Sequence, residues 1–228
     1  MLSKSKMLLF YILLFSVMPF TILLMLIFRD KDEKIRKIRV ATAMIFVKIF
    51  GFNARIHGEL DKSASVLVLN HLSDLDIIFF EYFYPGNICW VAKKELGEIP
   101  FFGLAMKLPK MILIDRKDKR SAISMIRSVK QRVDSGRVVA VFPEGTRGDG
   151  ERFLPFKSGV KPMLEATKRA VQPVVLVGTR EIFDPKEFRI KSGSFDIFFM
   201  PSFTPDPNDK EWFNKLKNDM EELYLLHR

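Results

Sequence analysis

Ser65-Val-Leu-Val-Leu69 runs straight into Asn70-His71-Leu-Ser-Asp-Leu-Asp76, and Val138-Val-Ala-Val-Phe142 runs in the same way into Pro143-Glu-Gly-Thr-Arg147-Gly148. Each apolar run is short, rich in β-branched residues and free of polar alternation, the pattern of a strand buried on both faces. Further strand candidates are Ala54–His57, Ile88–Ala92, Met111–Ile114, Val174–Gly178 and Phe195–Met200. Helical periodicity fits Asp74–Phe83, Lys119–Val133, Val160–Ala170 and Lys210–Leu226. Strands alternating with helices predict an α/β fold, a mostly parallel central sheet flanked by helices. In such a fold, working residues collect beyond the carboxyl ends of the strands, where both polar clusters fall.

The N-terminus is of another kind. Met7 to Phe28 carries no charged side chain, and as one helix of 22 residues it would reach about 33 Å, the thickness of a bilayer's hydrocarbon core. No small-residue cleavage site follows; Arg29-Asp-Lys-Asp-Glu-Lys34 does, so a retained segment is expected rather than a signal peptide. Pro19 predicts a kink or a break. Ile35 to Phe52 is basic and then apolar, an amphipathic helix suited to an interface. Two arrangements are open, a single span or a two-helix element dipped into one leaflet. Residues 1–52 are thus assigned to membrane-anchoring helices and 53–228 to the α/β domain. The excess of Lys and Arg after residue 28 predicts that this domain lies on the cytoplasmic face of a membrane.

Composition narrows the function. Of 228 residues, 37 are Lys or Arg against 27 Asp or Glu, a formal charge of +10, and 22 are Phe, which excludes a disordered chain. The basic residues are scattered and no nucleic-acid motif is visible, so the charge is read as affinity for anionic lipid. Cys89, the one cysteine, lies in an apolar run and is expected to be buried and inert. No Cys/His cluster or acidic pair has metal-ligand spacing, and no glycine-rich nucleotide loop is present, so neither metal nor cofactor is expected.

His71 and Asp76 supply the elements of a general-base pair, the carboxylate holding one ring nitrogen protonated while the other accepts a proton. The competing reading is a histidine beside a helix start, with Asp74 or Asp76 favouring the helix dipole. In the second cluster Gly145 permits close backbone approach, Thr146 offers a hydroxyl, and Arg147 can grip a phosphate through two hydrogen bonds.

Asn70-His71-x4-Asp76 followed by Phe142-Pro-Glu-Gly-Thr-Arg147 resembles the glycerolipid acyltransferase family, in particular its 1-acyl-sn-glycerol-3-phosphate acyltransferases. Between them, Ala92-Lys93-Lys94-Glu95-Leu96, Ile99-Pro100-Phe-Phe-Gly103 and Ile112-Leu-Ile-Asp115-Arg116 resemble the family's second block, and Gln172-Pro173-Val-Val-Leu-Val177 resembles its fourth. The likeness covers about residues 65–180. Two positions depart from it: Lys110 stands where the second block usually has glycine, and Leu176 where the fourth usually has a second proline.

The resemblance implies that His71 takes the proton from an acceptor hydroxyl, which attacks the thioester carbonyl of acyl-CoA or acyl-carrier protein, with Asp76 orienting the base. It implies phosphate contacts from Lys93, Arg147 and Arg116, with Lys94 an alternative to Lys93, and a role for Glu144 in holding the acceptor hydroxyl or ordering its loop. Asp115 is open to pairing with a neighbouring cation. The expected reaction is acylation of the sn-2 hydroxyl of lysophosphatidic acid to phosphatidic acid at a phospholipid membrane. A different lysolipid acceptor and a non-catalytic membrane-binding module are the alternatives.

Overall fold

The computed structural model describes residues 2–115 and 121–228. In chain order the elements are α1 Leu2–Ile27, α2 Asp32–Phe50, β1 Phe52–His57, β2 Val66–Leu69, α3 Asp74–Phe83, β3 Ile88–Lys93, α4 Phe102–Lys107, β4 Ile112–Ile114, α5 Ser121–Asp134, β5 Val138–Val141, α6 Val160–Thr167, β6 Val171–Val177, α7 Thr179–Ile182, β7 Phe183–Asp184, β8 Arg189–Ile190, β9 Gly193–Phe199 and α8 Trp212–His227. A single 3-10 turn, Lys94–Glu98, links β3 to α4.

Seven strands form one sheet in the order β1-β9-β6-β2-β5-β3-β4. The five from β6 to β4 are mutually parallel, as the alternating pattern predicts. Every residue of β2 and β6 is buried, because helices cover both faces of a parallel sheet. The exception is at one side: β9 runs antiparallel to β6, and β1 follows β9. Between β6 and β9 lie only the four-residue α7 and the β7–β8 hairpin, with no crossover helix long enough to return the chain to the starting end of the sheet.

β2, β5, β3 and β4 are neighbours, so their carboxyl ends stand in a row at one end of the sheet. That end carries His71, the 143–147 turn and Lys93.

The two N-terminal helices pack on this domain. Met7 and Phe10 of α1 are buried in the same cluster as the sheet residues, with the Phe10 ring 4.8 Å from that of Phe183. Lys6 Nζ donates to Ser192 Oγ at 2.6 Å. Further along, Ile22 and Met25 of α1 pack with Ile35 of α2 and with Ala105 and Leu108. Of the kink or break expected at Pro19, the break does not occur: α1 runs unbroken through it. Contacts on both sides of the proline hold the helix axis and offset the one backbone hydrogen bond it forgoes. α2 ends where Gly51, at φ 64, adopts the left-handed turn that glycine reaches without strain and caps the carbonyls of Val47 and Lys48.

The structure accounts for both departures from the family pattern. Lys110 also sits in the left-handed region, at φ 56, so the backbone keeps the shape that glycine favours. Its ammonium pairs with Asp32 of α2 at 2.9 Å and its carbonyl accepts from Arg132 Nε at 3.0 Å. Leu176 is fully buried in β6, and its N–H donates to Asn70 Oδ1 at 2.7 Å, a bond that proline there would lack.

Candidate active site

Ser73 begins the construction. Its backbone is extended, its hydroxyl accepts from Leu75 N, and Asp76 three residues on reaches back to the Ser73 N–H, a capping box that starts α3. Asp76 Oδ2 accepts from Ser73 N at 2.9 Å, from Leu72 N at 2.8 Å and from His71 Nδ1 at 2.8 Å. The Asp76 side chain is 0% exposed and that of His71 14%. A carboxylate accepts only, so Nδ1 carries the proton and Nε2 is left as the acceptor, the state a general base requires. The helix-start reading and the base-pair reading therefore describe one arrangement: the carboxylate that caps the helix also holds the imidazole.

Asn70 fixes the approach to His71 by bonding both backbone groups of Leu176, its amide donating to the carbonyl at 2.9 Å. The imidazole lies flat on Phe142, with ring centroids 3.9 Å apart and planes 14° from parallel. Phe142 in turn stacks on Trp90 at 5.4 Å. Trp90 Nε1 donates to Glu81 Oε1 at 2.6 Å, and Glu81 is held by Arg39 of α2 in an ion pair whose side chains are only 8% and 12% exposed. A column thus runs from the first amphipathic helix to the histidine ring.

The 143–147 turn closes on the same histidine. Glu144 Oε1 accepts from His71 N–H at 3.2 Å, and Gly148 N–H donates to His71 O at 2.8 Å. Gly145, at φ 72, makes the bend, and Thr146 and Arg147 emerge into solvent beyond it. Arg147 Nη1 donates to Asp74 Oδ2 at 2.6 Å. Arg180, just past β6, braces the turn through Gly148 O at 2.5 Å while pairing with Asp184.

Burial raises the Glu144 carboxyl from its ordinary 4.5 to about 8, the nearby Asp76 charge adding to the effect and the His71 N–H opposing it. Above pH 4.5 the unfolded chain releases a proton that the folded chain keeps until about pH 8. Stability therefore falls as pH rises through that window, by up to about 1.4 kcal/mol per unit. Glu144→Gln is expected to flatten this slope, which denaturant unfolding midpoints at pH 5 and pH 8 would measure.

Lys93 is exposed at the end of β3, and among the described residues it makes no ion pair. Lys94 is engaged by Asp115 at 3.8 Å. Arg116 lies outside the described residues. His57 pairs with Asp196 at 2.8 Å, far in the fold from His71, and Cys89 is buried with its thiol pushed up by desolvation.

An apolar cavity of about 360 Å³ is walled by α1, α2, α3 and α4, and by Trp90 of the ring column. Leu14, Met18, Phe46, Ile78 and Met106 line it, and Asp74 from the turn that carries Asp76 reaches its wall. Sequence reading missed this cavity, the ring column, the Arg39–Glu81 pair and the Arg180 brace. Only Arg180 left a trace, as a cation directly after the fourth-block strand.

Residues 53–177 match the family model described as Acyltransferase. The chain is 42% identical over 201 residues to a 1-acyl-sn-glycerol-3-phosphate acyltransferase of Helicobacter pylori, covering 88% of this chain and 84% of that one. It is 33% identical over 113 residues to a lyso-ornithine lipid O-acyltransferase of Rhizobium meliloti, covering 49% and 38%. The crystal structure of the 1-acyl-sn-glycerophosphate acyltransferase PlsC from Thermotoga maritima superposes with a TM-score of 0.70 at 22% identity, over 97% of this chain and 94% of that one, and so shares its fold. The His71–Asp76 pair on this sheet, and a family match across most of it, mean that the chain belongs to the acyltransferase family.

Proposed function

We propose that this protein transfers a fatty acyl group from a thioester donor to the sn-2 hydroxyl of 1-acyl-sn-glycerol-3-phosphate, giving phosphatidic acid. The observation that carries the reading is the His71–Asp76 pair, with Nδ1 committed to the carboxylate, at the start of a helix whose Asp74, Ile77 and Ile78 wall an apolar cavity large enough for much of an acyl chain. The identity to the Helicobacter pylori enzyme supports the acceptor.

In this mechanism Nε2 of His71 takes the proton of the acceptor hydroxyl as its oxygen bonds to the thioester carbonyl carbon. Asp76 stabilises the imidazolium that results. Collapse of the tetrahedral adduct breaks the carbon–sulfur bond, and the imidazolium returns the proton to the leaving thiolate. No acyl-enzyme is needed, and Ser73 is unsuited to be a nucleophile because its hydroxyl is buried and donates to Phe183 O. The acyl chain occupies the cavity between the N-terminal helices and α3. Arg147 and Lys93, on neighbouring strand ends, receive the acceptor phosphate, with Arg116 a third candidate; Glu144, Gly145 and Thr146 shape the turn that presents Arg147. The donor is acyl-CoA or acyl-carrier protein.

The reaction takes place at the cytoplasmic membrane face. α1 is apolar enough to cross a bilayer by length and composition, over Ser3–Ile27. Yet one of its faces, Met7, Phe10, Leu14, Met18, Ile22 and Met25, packs on the charged domain or lines the cavity along nearly its full length. A helix fastened lengthwise to a charged domain favours the single-leaflet arrangement over a span, since spanning would draw the domain's charges into hydrocarbon.

The test is purified full-length protein in detergent with a labelled acyl thioester and a panel of lysolipids that includes lyso-ornithine lipid. Turnover on lysophosphatidic acid is expected; turnover only on a phosphate-free acceptor would replace the assignment, and none on any acceptor would favour a non-catalytic membrane module. Arg147→Ala is expected to raise KM for the phosphorylated acceptor about tenfold or more. Folding stability should change by under about 1 kcal/mol, because the Arg147–Asp74 pair is some 40% exposed on each side. An unchanged KM would remove Arg147 from the acceptor site.

A further inference from the structure

The segment joining β3 to the body of α4 is built inside out for water. Its two glycines are buried and its large apolar side chains face outward: Leu96 is 37% exposed, Ile99 46%, Phe101 73%, Phe102 38% and Leu104 36%. The shape is not slack. A Cβ on Gly103 would stand 2.2 Å from Gly97 O, and one on Gly97 would stand 2.4 Å from Leu113 Cδ1, so the two ends of the segment are pressed together against β4. Gly103 N donates to Ile99 O and Leu104 N to Phe101 O, closing the bend. Phe101 sits at φ 61, in the left-handed region that a phenylalanine adopts only under constraint, and this turn carries its ring into the open. A packed, strained turn that exposes five large apolar side chains within nine residues is a built surface.

We propose that this Leu96–Leu104 turn is a second membrane-inserting element, seated in the same leaflet as α1, and that lipid reaches the cavity past it. Three observations name a lipid bilayer as the occupant. The turn continues a surface already suited to lipid, since Ala105 and Leu108 behind it pack on Ile22 and Met25 of α1, whose outward face exposes Leu23, Leu24 and Ile27. Cations flank the apolar tip: Lys93, Lys94 and Lys107 are exposed where anionic headgroups would lie, while the polar run Arg29 to Lys34 at the end of α1 carries three bases and three acids. Glu95 and Glu98 are exposed as well, so the insertion is shallow, at the boundary of headgroups and acyl chains. Finally Phe102 of the turn, with Ala105 and Met106 just behind it, walls the cavity, so the inserted turn borders the cavity directly. The inference rests on the membrane reading of α1 but adds a contact which that reading does not require.

The experiment uses the full chain with one introduced cysteine at Phe15, Phe101 or Asn208, each labelled with an environment-sensitive fluorophore; native Cys89 is fully buried and stays unlabelled. Asn208 lies beyond β9, at the end of the sheet away from the turn, and reports water. Phosphatidylethanolamine–phosphatidylglycerol vesicles carrying acyl-chain nitroxides supply the quencher. Labels at Phe15 and Phe101 are expected to be quenched, and the Asn208 label is not. Quenching at Phe15 without quenching at Phe101 would overturn the second element and leave the anchoring role of α1 intact. Quenching at neither would overturn both. Phe101→Asp should lower turnover of a vesicle-presented acceptor about tenfold or more while sparing a short-chain acceptor in detergent. Equal loss on both acceptors would assign Phe101 a folding role instead.

Discussion

Replacing Asp76 with asparagine is expected to lower kcat by about 10²–10⁴ while changing KM for either substrate little. One oxygen of this carboxylate takes the His71 Nδ1–H and two backbone N–H groups, and the group is sealed from solvent. An amide of the same size can present its oxygen to those donors, so α3 should still start at Ser73. It carries no negative charge to stabilise the imidazolium formed when Nε2 accepts the acceptor's proton, and it places an NH2 in a buried site that was filled by an acceptor. His71→Ala should cost about as much, and the double variant little more, because the two side chains act as one unit. Steady-state kinetics with saturating thioester would check this. More than a tenth of the wild-type kcat in either single variant would remove the pair from the chemistry.

The second large effect is on stability. Glu81→Ala is expected to destabilise the fold by about 3–5 kcal/mol, a large share of the roughly 5–15 kcal/mol by which a domain is ordinarily stable. Glu81 Oε2 accepts from Arg39 Nη2 at 2.7 Å and Nε at 3.1 Å, and Oε1 accepts from Arg39 Nη2 at 2.5 Å and Trp90 Nε1 at 2.6 Å. Its loss leaves a guanidinium buried without a counter-charge and an indole N–H without its acceptor. The cost lies in the orphaned charge more than in a lost attraction. The double change Arg39→Met with Glu81→Leu should therefore regain most of the stability, which denaturant unfolding of the three proteins in detergent would show. Trp90 backs Phe142, which backs His71, so Glu81→Ala should also lower kcat at temperatures where it remains folded.

These two sites differ in how far they were legible. His71, Ser73 and Asp76 lie within six residues, and a capping box is a local structure whose parts are read off their spacing. The contact of Glu144 with the His71 backbone joins residues 73 apart and exists only because β2 and β5 are neighbours in the sheet. Alternating runs predicted parallel strands without saying which would be adjacent. Arg39 read as one cation among several on a basic helix; its partner is 42 residues away, and nothing in the spacing marks it as buried. Arg147 was legible as a phosphate ligand from its own chemistry and Lys93 came from resemblance; the strand order then set them on neighbouring ends.

Buried parallel strands, the helix start at Ser73 and the apolar N-terminal helix were determined by the sequence alone, because each depends on interactions among residues a few places apart. The tertiary structure decided that Pro19 would not break α1, that this helix would lie along the domain instead of standing away from it, and that the space between them would be a cavity walled in part by the helix that starts at Ser73. Those outcomes follow from which surfaces meet. Burial of one helix face against a distant part of the chain is a through-space energy, and periodicity along the chain records that the face is apolar without recording what it will cover.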